Sequence, residues 1–356
     1  MKKVITIVGA RPQFIKAATL SRQLHLLGVD ELIIHTGQHF DENMSNIFFE
    51  EMEIPKPAFQ LDVHGLTHGA MTGRMLEGIE KILLIEKPDG VIVYGDTNST
   101  LAGALAASKL HIPVIHVEAG LRSYNMNMPE EINRILTDRI SDVLFCPTDA
   151  AVNNLIREGY KNVPIQIIKN GDVMQDAAIY YAAKAEKKSD ILKQIALPKF
   201  VLATVHRPEN TDNIDKLRNI VVSLNEINRQ VPVVVPIHPR TRNTLTQHNI
   251  FPEFKLIEPV GYFDMIMLLK SCELVITDSG GVQKEAFFFG KHCITLREQT
   301  EWVELVENGF NLLVGNDPLK LKNAFDFFKT KTSDFSIDLY GKGKAAEQVA
   351  GFIKSF

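Results

Sequence analysis

Short apolar runs alternate with amphipathic segments of helical length along the whole chain. In the first half, strands are predicted at residues 4–8, 31–35, 90–94, 114–117, 143–147 and 165–168. Most of these runs are continuous in valine, isoleucine and leucine, as expected of strands that are buried on both faces of a parallel sheet. Helices with apolar residues at 3.6-residue spacing are predicted between them, at 71–86, 133–140 and 150–158.

The second half repeats this alternation. Its predicted strands lie at residues 200–205, 233–237, 255–257, 274–276, 293–296 and 311–314. Pro236 weakens one of them, because proline cannot donate to a sheet ladder. Strands and helices that alternate over nearly the whole chain predict an α/β protein with parallel sheets.

The length of the chain favours two domains. At ~150 residues per domain, 356 residues correspond to about two domains, and the break between them falls near residues 170–172. We therefore predict an N-terminal domain at 1–170, a C-terminal domain at 171–340 and a C-terminal helix at 341–356. That last helix either packs on its own domain or crosses back to the first.

Composition and charge narrow the class of protein. The chain is 45% hydrophobic and 23% charged, with a net charge of −4, which argues against a disordered chain and against a nucleic-acid or membrane-surface partner. The three cysteines are far apart and fit a reducing compartment. No apolar run reaches the ~18 residues that a membrane helix needs. We predict a soluble cytoplasmic protein.

Ionisable residues recur where the predicted strands end. Ligands of open α/β sheets bind beyond the carboxyl ends of the strands, so we predict a polar cleft between the two domains. Asp96 and Asp278 can instead be plain N-caps of the helices that follow them.

Residues 278–285 carry the strongest single signal. A buried strand ends there in the turn Ser279-Gly280-Gly281, which opens a helix. Backbone N–H groups at such a helix start carry partial positive charge, and glycines let a ligand approach closely, which predicts a phosphate site. Glu285, about one turn further on, is placed to accept hydrogen bonds from a sugar hydroxyl. The alternative is a tight turn without a ligand, and no dinucleotide or Walker motif is present.

Two cations lie at the start of the first helix. Arg11 and Lys16 flank Pro12, which suits the first helical turn. Because cations oppose the positive end of the helix dipole, they predict an anionic ligand. The alternative is that both are solvated surface charges.

Three carboxylates in the first half are candidates for acid/base chemistry, namely Asp96, Glu118 and Glu130. Carboxylates brought together without a metal raise one another's pKa, which suits proton transfer near neutral pH. His206 and His238 are candidate partners from the second half. The alternative for the carboxylates is solvated loop charges or caps. The His/Asp/Glu set can alternatively bind a metal, but no pair has the helical spacing of HExxH, so we predict no metal. We also predict no cofactor.

As a set, these residues resemble the non-hydrolysing UDP-N-acetylglucosamine 2-epimerase family. The resemblance implies two Rossmann-like domains that face a cleft, as in GT-B glycosyltransferases, and a homodimer. It implies inversion at C2 of a UDP-linked 2-acetamido sugar through anti elimination of UDP and its re-addition to a glycal, without nicotinamide or metal. The matching stretches are residues 9–16, 38–39, 94–100, 116–122, 129–134, 206–210, 238–239, 277–285 and 297–304.

The resemblance also implies roles for individual residues. The family's catalytic set matches Asp96, Glu118, Glu130 and His206. Contacts to the substrate or to UDP match Arg11, Lys16, His238, Ser279, Gly280, Gly281 and Glu285.

The chain departs from the UDP-N-acetylglucosamine enzymes at several positions. Trp302 replaces a nucleotide-contacting arginine, and Val260 and Met265 replace the usual glutamine and phenylalanine. The Gln38-His39 region, part of an allosteric site in some members, continues differently at 40–43. These departures resemble the subgroup that acts on UDP-2,3-diacetamido-2,3-dideoxyglucuronate for O-antigen or capsule. The alternatives are a GT-B glycosyltransferase and a catalytically silent UDP-sugar sensor.

Overall fold

The computed structural model describes residues 2–38 and 52–356. These residues form two compact units. Unit 1 comprises Met1–Ala177 and Asp338–Phe356, and unit 2 comprises Ala178–Ile337. The division falls a few residues after the break predicted from the sequence, inside a helix that begins at Val173.

Unit 1 is built on a seven-stranded sheet whose order is β3-β2-β1-β4-β5-β6-β7, with every pair parallel. The predicted strands agree with those observed to within one residue at each end. The two-residue strand β3 was not predicted, because two residues carry no periodic pattern. The strands are β1 Lys3–Val8, β2 Asp30–His35, β3 Phe59–Gln60, β4 Gly90–Tyr94, β5 Val114–Val117, β6 Val143–Cys146 and β7 Gln166–Lys169.

The helices that cover this sheet follow its strands in turn. They are α1 Arg11–Leu26, α2 His68–Glu86, α3 Asn98–Lys109, α4 Pro129–Ile140, α5 Asp149–Arg157 and α6 Val173–Lys188, with a 3-10 helix at Tyr160–Asn162. Local sequence sets the starts of several. Thr97 caps α3 by accepting the N–H of Thr100, and Pro129 occupies the first turn of α4.

The core of unit 1 places α2 and α3 against β1 and β4. Ile7, Val93, Met75 and Ile79 are fully buried there. Gly103 lets α3 approach the sheet closely, because a Cβ atom at that position would lie 2.6 Å from Cδ1 of Ile7. The polar residues at the strand ends therefore rest on a closely packed layer.

Unit 2 is built on a six-stranded parallel sheet of order β10-β9-β8-β11-β12-β13. Pro236 is the last residue of its strand, where the loss of a donor matters least. The strands are β8 Val201–Thr204, β9 Val233–Pro236, β10 Lys255–Ile257, β11 Leu274–Thr277, β12 Cys293–Thr295 and β13 Asn311–Leu313. The helices are α7 Ile191–Ile195, α8 Pro208–Thr211, α9 Ile214–Asn228, α10 Pro239–Gln247, α11 Tyr262–Ser271, α12 Gly280–Phe288, α13 Val303–Glu307 and α14 Pro318–Thr330.

The last helix, α15 Ala345–Ser355, packs on α1 and so belongs to unit 1. Its first turn is held by the buried carboxylate of Asp176, which accepts the N–H groups of Ala345 at 3.2 Å and Ala346 at 2.7 Å. Burial raises the pKa of Asp176 to about 6. Within the described part of the chain, no helix combines the length and hydropathy that a membrane span requires.

Both sheets place the first strand of the unit beside its fourth. The order is 3-2-1-4-5-6 in unit 2, and unit 1 has the same order with a seventh strand after the sixth. The prediction of an α/β protein with two parallel, Rossmann-like sheets is thus confirmed. Chain connections leave such a pair of central strands in opposite directions. The gap beyond the carboxyl ends of these two strands, called the switch point, is where ligands bind. In unit 1 this point lies beyond β1 and β4, and in unit 2 it lies beyond β8 and β11.

Candidate active site

Gln13 ties together the two chain segments that leave the switch point of unit 1. Its buried side-chain oxygen accepts the N–H groups of Gly9 at 2.8 Å and Ala10 at 3.1 Å. Its amide nitrogen donates to the Tyr94 carbonyl and the Thr100 hydroxyl, both at 2.9 Å. The turn after β1 is therefore held against the end of β4, which sets where α1 begins and where its cations lie.

Lys16 and Glu118 form an ion pair beyond β1 and β5, with both side chains more than nine-tenths buried. A Cβ atom on Gly95 would lie 3.3 Å from each of the two charged groups, so the turn after β4 runs directly beside the pair. Glu118 has a φ of 70°, a left-handed conformation that is uncommon for a residue with a side chain. The alternative that Lys16 is a solvated charge is wrong.

Asp96 is held by a cation from α4. Its Oδ2 lies 2.5 Å from Nη2 of Arg134, whose Nη1 donates to Oε2 of Glu131 at 2.7 Å. The Asp96 carboxylate is about three-quarters buried, and it does not cap α3, because Thr97 does. The alternative that Asp96 is a plain N-cap is therefore wrong.

Two adjacent glutamates in the first turn of α4 have opposite environments. Glu130 is exposed, and no hydrogen bond or ion pair joins it to the described residues. Glu131 is fully buried and accepts the N–H groups of Ser123 and Tyr124 as well as the bond from Arg134. Burial alone raises the pKa of Glu131, but these three donors outweigh it and lower that pKa. Glu131 was missed in the sequence, where a Pro-Glu-Glu helix start was the available signal.

His116 and Asp138 form a fully buried pair behind these carboxylates. Nδ1 of His116 lies 2.8 Å from Asp138, and Nε2 lies 2.8 Å from the Gly95 carbonyl. Asp138 also accepts bonds from Arg122 at 2.7 Å and from the N–H of Gly120 at 3.2 Å. Burial favours a raised pKa for Asp138, but the bonds and charges of His116 and Arg122 lower it. From the sequence, His116 was placed only within a matching stretch, and Asp138 was not singled out.

Asp278 organises the switch point of unit 2. Its buried carboxylate accepts the N–H groups of His206 and Arg207 at 3.0 Å and the amide of Asn210 at 3.2 Å. Nδ1 of His206 lies 3.2 Å from Oδ1 of Asp278, while the imidazole is about half exposed. The alternative that Asp278 caps the next helix is wrong, because Ser279 is that cap. The carboxylate instead orients the histidine ring.

The start of α12 has the features predicted for a phosphate site. Ser279 caps it, Gly280 and Gly281 are its first two residues, and Gly281 has open space around its Cα. A Cβ atom on Gly280 would lie 2.3 Å from Oε1 of Glu301, so a larger residue there would require the Glu301 side chain to move. Glu285 is buried one turn further on. A helix start leaves backbone N–H groups without intrahelical partners, which favours an anion.

Comparison with known proteins shows the family of this chain. The sequence model of the UDP-N-acetylglucosamine 2-epimerase family matches residues 24–354. The chain belongs to this family.

Individual relatives match the epimerase over its full length. The UDP-2,3-diacetamido-2,3-dideoxy-D-glucuronate 2-epimerase of Pseudomonas aeruginosa is 55% identical over 353 residues, 99% of each chain. The UDP-N-acetylglucosamine 2-epimerase of Methanocaldococcus jannaschii is 46% identical over 359 residues, 98% of this chain and 97% of the relative. The crystal structure of the Methanocaldococcus jannaschii enzyme in complex with UDP-GlcNAc and UDP covers 100% of both chains at a TM-score of 0.92 and 45% identity.

These findings confirm the family resemblance, and the Pseudomonas aeruginosa relative carries the name of the subgroup that the sequence suggested. Epimerases are isomerases, so the names of the relatives do not support the alternative of a glycosyltransferase. The roles of the individual site residues are not tested by these matches and stay predictions.

Other predicted contacts of the epimerase lie at helix starts. Arg11 is the first residue of α1 and is partly buried. His238 is exposed and caps α10, where its Nδ1 accepts the N–H of Arg240. Gln38 accepts bonds from the backbone and hydroxyl of Ser99, whereas residues 39–43 of the predicted allosteric region lie outside the described residues. The described residues contain no group of His, Cys, Asp and Glu that fits a metal ion.

Trp302, the residue before α13, is buried in the epimerase. Its side chain is 3% exposed, and the buried ammonium of Lys284 lies 4.3 Å from the centre of its ring. Cation–π contacts of this kind gain strength when they are shielded from water. Trp302 therefore packs against a cation on α12.

Proposed function

We propose that this protein inverts C2 of a UDP-linked 2-acetamido sugar by elimination and re-addition of UDP. The observation that carries the proposal is the pairing of two carboxylates with buried cations at the switch point of unit 1. Asp96 is paired with Arg134, and Glu118 is paired with Lys16. The cation beside each carboxylate fixes its position, and a positioned carboxylate is the usual acid/base group for transfer of a proton.

The proposed reaction balances without an external oxidant. A carboxylate takes the proton from C2, the electrons of that C–H bond form the C1=C2 double bond, and the C1–O bond breaks with its electron pair leaving on UDP. UDP then attacks C1 of the glycal, and a proton is added to C2 from the opposite face. Reversible elimination therefore needs acid/base groups on both faces of the sugar ring. We assign these roles to Asp96, Glu118 and Glu130, with His206 as a further acid.

The diphosphate is proposed to bind at the start of α12. The N–H groups of Gly280 and Gly281 and the hydroxyl of Ser279 supply donors there, and Glu285 and His238 supply further contacts to UDP. Arg11 and Lys16 are proposed as further contacts to the substrate or to UDP. Fixed donors and cations of this kind stabilise the charge that develops on a departing phosphate.

Turnover in heavy water tests this proposal. The product is expected to carry deuterium at C2 after full conversion, because the C2 proton is lost to a carboxylate that exchanges with solvent. Proton NMR of the purified protein with each candidate UDP-sugar measures the loss of the C2 signal. A product that retains protium at C2 contradicts the elimination mechanism, and transfer of the sugar to an acceptor without exchange supports a glycosyltransferase instead.

We propose UDP-2,3-diacetamido-2,3-dideoxyglucuronate as the substrate, with the product used for surface polysaccharide. The Pseudomonas aeruginosa relative supports this choice through its name and its 55% identity. A carboxylate at C5 of the sugar needs a cationic partner. Arg240 is exposed and paired with Asp212 at 2.5 Å, whereas the Arg297 side chain is nine-tenths buried beside Glu301 at 3.0 Å. Arg297 is the better candidate, because its Nη1 is buried without a hydrogen-bond partner among the described residues, and the half-buried Arg207 is a second candidate.

The substrate preference is measurable as kcat/KM. We expect UDP-2,3-diacetamido-2,3-dideoxyglucuronate to exceed UDP-N-acetylglucosamine by at least ~100-fold, because a site built for a charged group is left with an unpaired cation by a substrate that lacks it. Arg297→Gln or Arg207→Gln is expected to reduce that ratio, with Arg240→Gln as the control. Equal kcat/KM values for the two sugars contradict this substrate preference and indicate a UDP-N-acetylglucosamine 2-epimerase whose specificity does not depend on Trp302.

We also propose a cytoplasmic homodimer. The three cysteines are buried free thiols, which suits a reducing compartment. Exposed apolar side chains gather in and before α4, and an apolar patch of this kind on a helix face favours association. They are Tyr124, Met126, Ile132 and Leu136.

Analytical ultracentrifugation checks the dimer. Leu136→Glu is expected to weaken dimerisation by roughly 10-fold or more, since a carboxylate replaces an apolar contact. Leu319→Glu, at another exposed leucine on α14, serves as the control. A wild-type protein that sediments as a monomer at micromolar concentration contradicts the proposal.

A further inference from the structure

His116 and Asp138 lie behind the carboxylates of unit 1 and are themselves fully buried. His116 is in β5, two residues before Glu118, and Asp138 is in α4. Neither side chain reaches solvent, so neither is placed to contact a substrate. A buried ionisable pair is costly to desolvate, which raises the question of what it does at this position.

The hydrogen bonds of His116 determine its charge. Nδ1 faces the carboxylate of Asp138 and Nε2 faces the carbonyl of Gly95, each at 2.8 Å. A carbonyl oxygen only accepts, and so does an ionised carboxylate. Asp138 is ionised because it also receives bonds from Arg122 and from the N–H of Gly120. Hydrogen bonds from His116 to both oxygens therefore need a hydrogen on each ring nitrogen, the arrangement found in an imidazolium.

The backbone N–H and the backbone carbonyl of Gly95 both form hydrogen bonds with residues of β5. Its carbonyl accepts the bond from His116, and its N–H donates to the Val117 carbonyl at 3.0 Å. Gly95 immediately precedes Asp96, and its Cα lies beside the pair of Lys16 and Glu118. Any shift of this peptide therefore moves Asp96 relative to Glu118.

Asp138 also holds the chain on both sides of Glu118. It bonds His116 two residues before that glutamate and the N–H of Gly120 two residues after it. Glu118 has the strained φ of 70° between these two anchor points. Strained conformations persist only where the surrounding structure fixes them, and the bonds of Asp138 supply that restraint.

We propose that the His116–Asp138 pair is a positioning element of the epimerase, with His116 as an imidazolium that holds the Gly95 carbonyl and thereby the Asp96 and Glu118 carboxylates at their working separation. This inference rests on the proposed function. The pair touches no reacting atom, and its effect passes through Gly95, Glu118 and Gly120. Its loss is therefore expected to slow the chemical step more than it weakens binding.

Asp138→Asn and His116→Gln test the proposal. Asparagine keeps the size of Asp138 and one acceptor but loses the charge that supports the imidazolium. Glutamine carries both of its donor hydrogens on a single nitrogen, so it places an accepting oxygen where His116 has its second N–H. Both variants are expected to lower kcat on the order of 100-fold, the usual consequence of misplacing catalytic groups by about 1 Å. The KM of the UDP-sugar and the Kd of UDP are expected to change less than about threefold.

Two matched controls separate positioning from general loss of stability. Asp176→Asn removes another buried carboxylate of unit 1 that accepts two backbone N–H groups. His292→Gln removes another buried imidazole, which stacks on Phe328 and bonds Ser333 in unit 2. Both controls are expected to lower Tm while leaving kcat within about threefold of wild type.

The outcomes distinguish this inference from the proposed function. Absence of C2 exchange in the wild-type protein contradicts the proposed function and therefore also the positioning role. An active wild type whose folded Asp138→Asn and His116→Gln variants keep kcat at the level of the controls overturns the positioning role alone. Nitrogen NMR of histidine-labelled wild-type protein needs no variant to fold: two protonated ring nitrogens on His116 support the proposal, and a single one contradicts it.

Discussion

Asp96→Asn and Glu118→Gln are each expected to lower kcat at least ~100-fold, the usual scale for losing a positioned acid or base. The amides keep the shape of the carboxylates but do not accept a proton. Asp96→Asn is expected to keep the fold, because Arg134 retains its bond to Glu131. Glu118→Gln is expected to destabilise more, since buried Lys16 loses its charged partner.

Initial rates from NMR, together with Tm, measure these effects. Glu77→Gln is a suitable control, because Glu77 is an exposed carboxylate on α2 whose ion pair with Lys81 lies on the surface. Variants that eliminate well but re-add poorly are expected to release free UDP and glycal. Near-wild-type rates in Asp96→Asn, Glu118→Gln and Glu130→Gln together show that these carboxylates are structural.

Glu131→Ala is expected to reduce the free energy of unfolding by about 3–5 kcal/mol, the scale for removing one partner of a buried charged pair. The substitution leaves the N–H groups of Ser123 and Tyr124 and the Arg134 guanidinium without their buried acceptor. Glu130→Gln, one residue earlier, is expected to change stability by less than ~0.5 kcal/mol, because Glu130 is exposed. Glu130→Gln is instead expected to lower kcat.

Denaturant unfolding and kcat, measured on both variants, separate the two glutamates. The pH dependence gives a second measurement. Because the folded state lowers the pKa of Glu131 below its usual 4.5, this carboxylate contributes stability above that pH, which is lost as the pH falls through the lowered value. A Glu131→Gln variant is expected to lose less stability on acidification. Equal stability losses in Glu130→Gln and Glu131→Ala contradict the contrast between these environments.

Much of the fold could be predicted because buried parallel strands leave a direct pattern in the sequence. The strands Gly90–Tyr94 and Val114–Val117 were predicted with their observed bounds, since both faces of each are covered and all their residues except His116 belong to an apolar run. The two-residue strand Phe59–Gln60 left no such pattern. It forms because the edge of the sheet beside Asp30–His35 offers backbone partners, which is a property of the assembled sheet.

The candidate site, like the fold, could be predicted from the sequence only in part. The rule that ligands bind beyond strand ends is local, and it led from the sequence to Asp96, Glu118, His206 and the turn at Ser279. The sequence could not predict which of the adjacent residues Glu130 and Glu131 is buried. That depends on which of them faces the loop at Ser123, and only the tertiary structure shows it.

The sequence by itself determined the α/β class, the family and the strand ends that carry polar groups, because periodicity and motifs are properties of neighbouring residues. Only the tertiary structure decided the partners. Lys16 and Glu118 are 102 residues apart in the chain, and His116, Gly95 and Asp138 come from two strand ends and a helix. Ion pairs and buried hydrogen bonds act over a few ångströms in space, and their formation depends on how the whole sheet brings distant segments together.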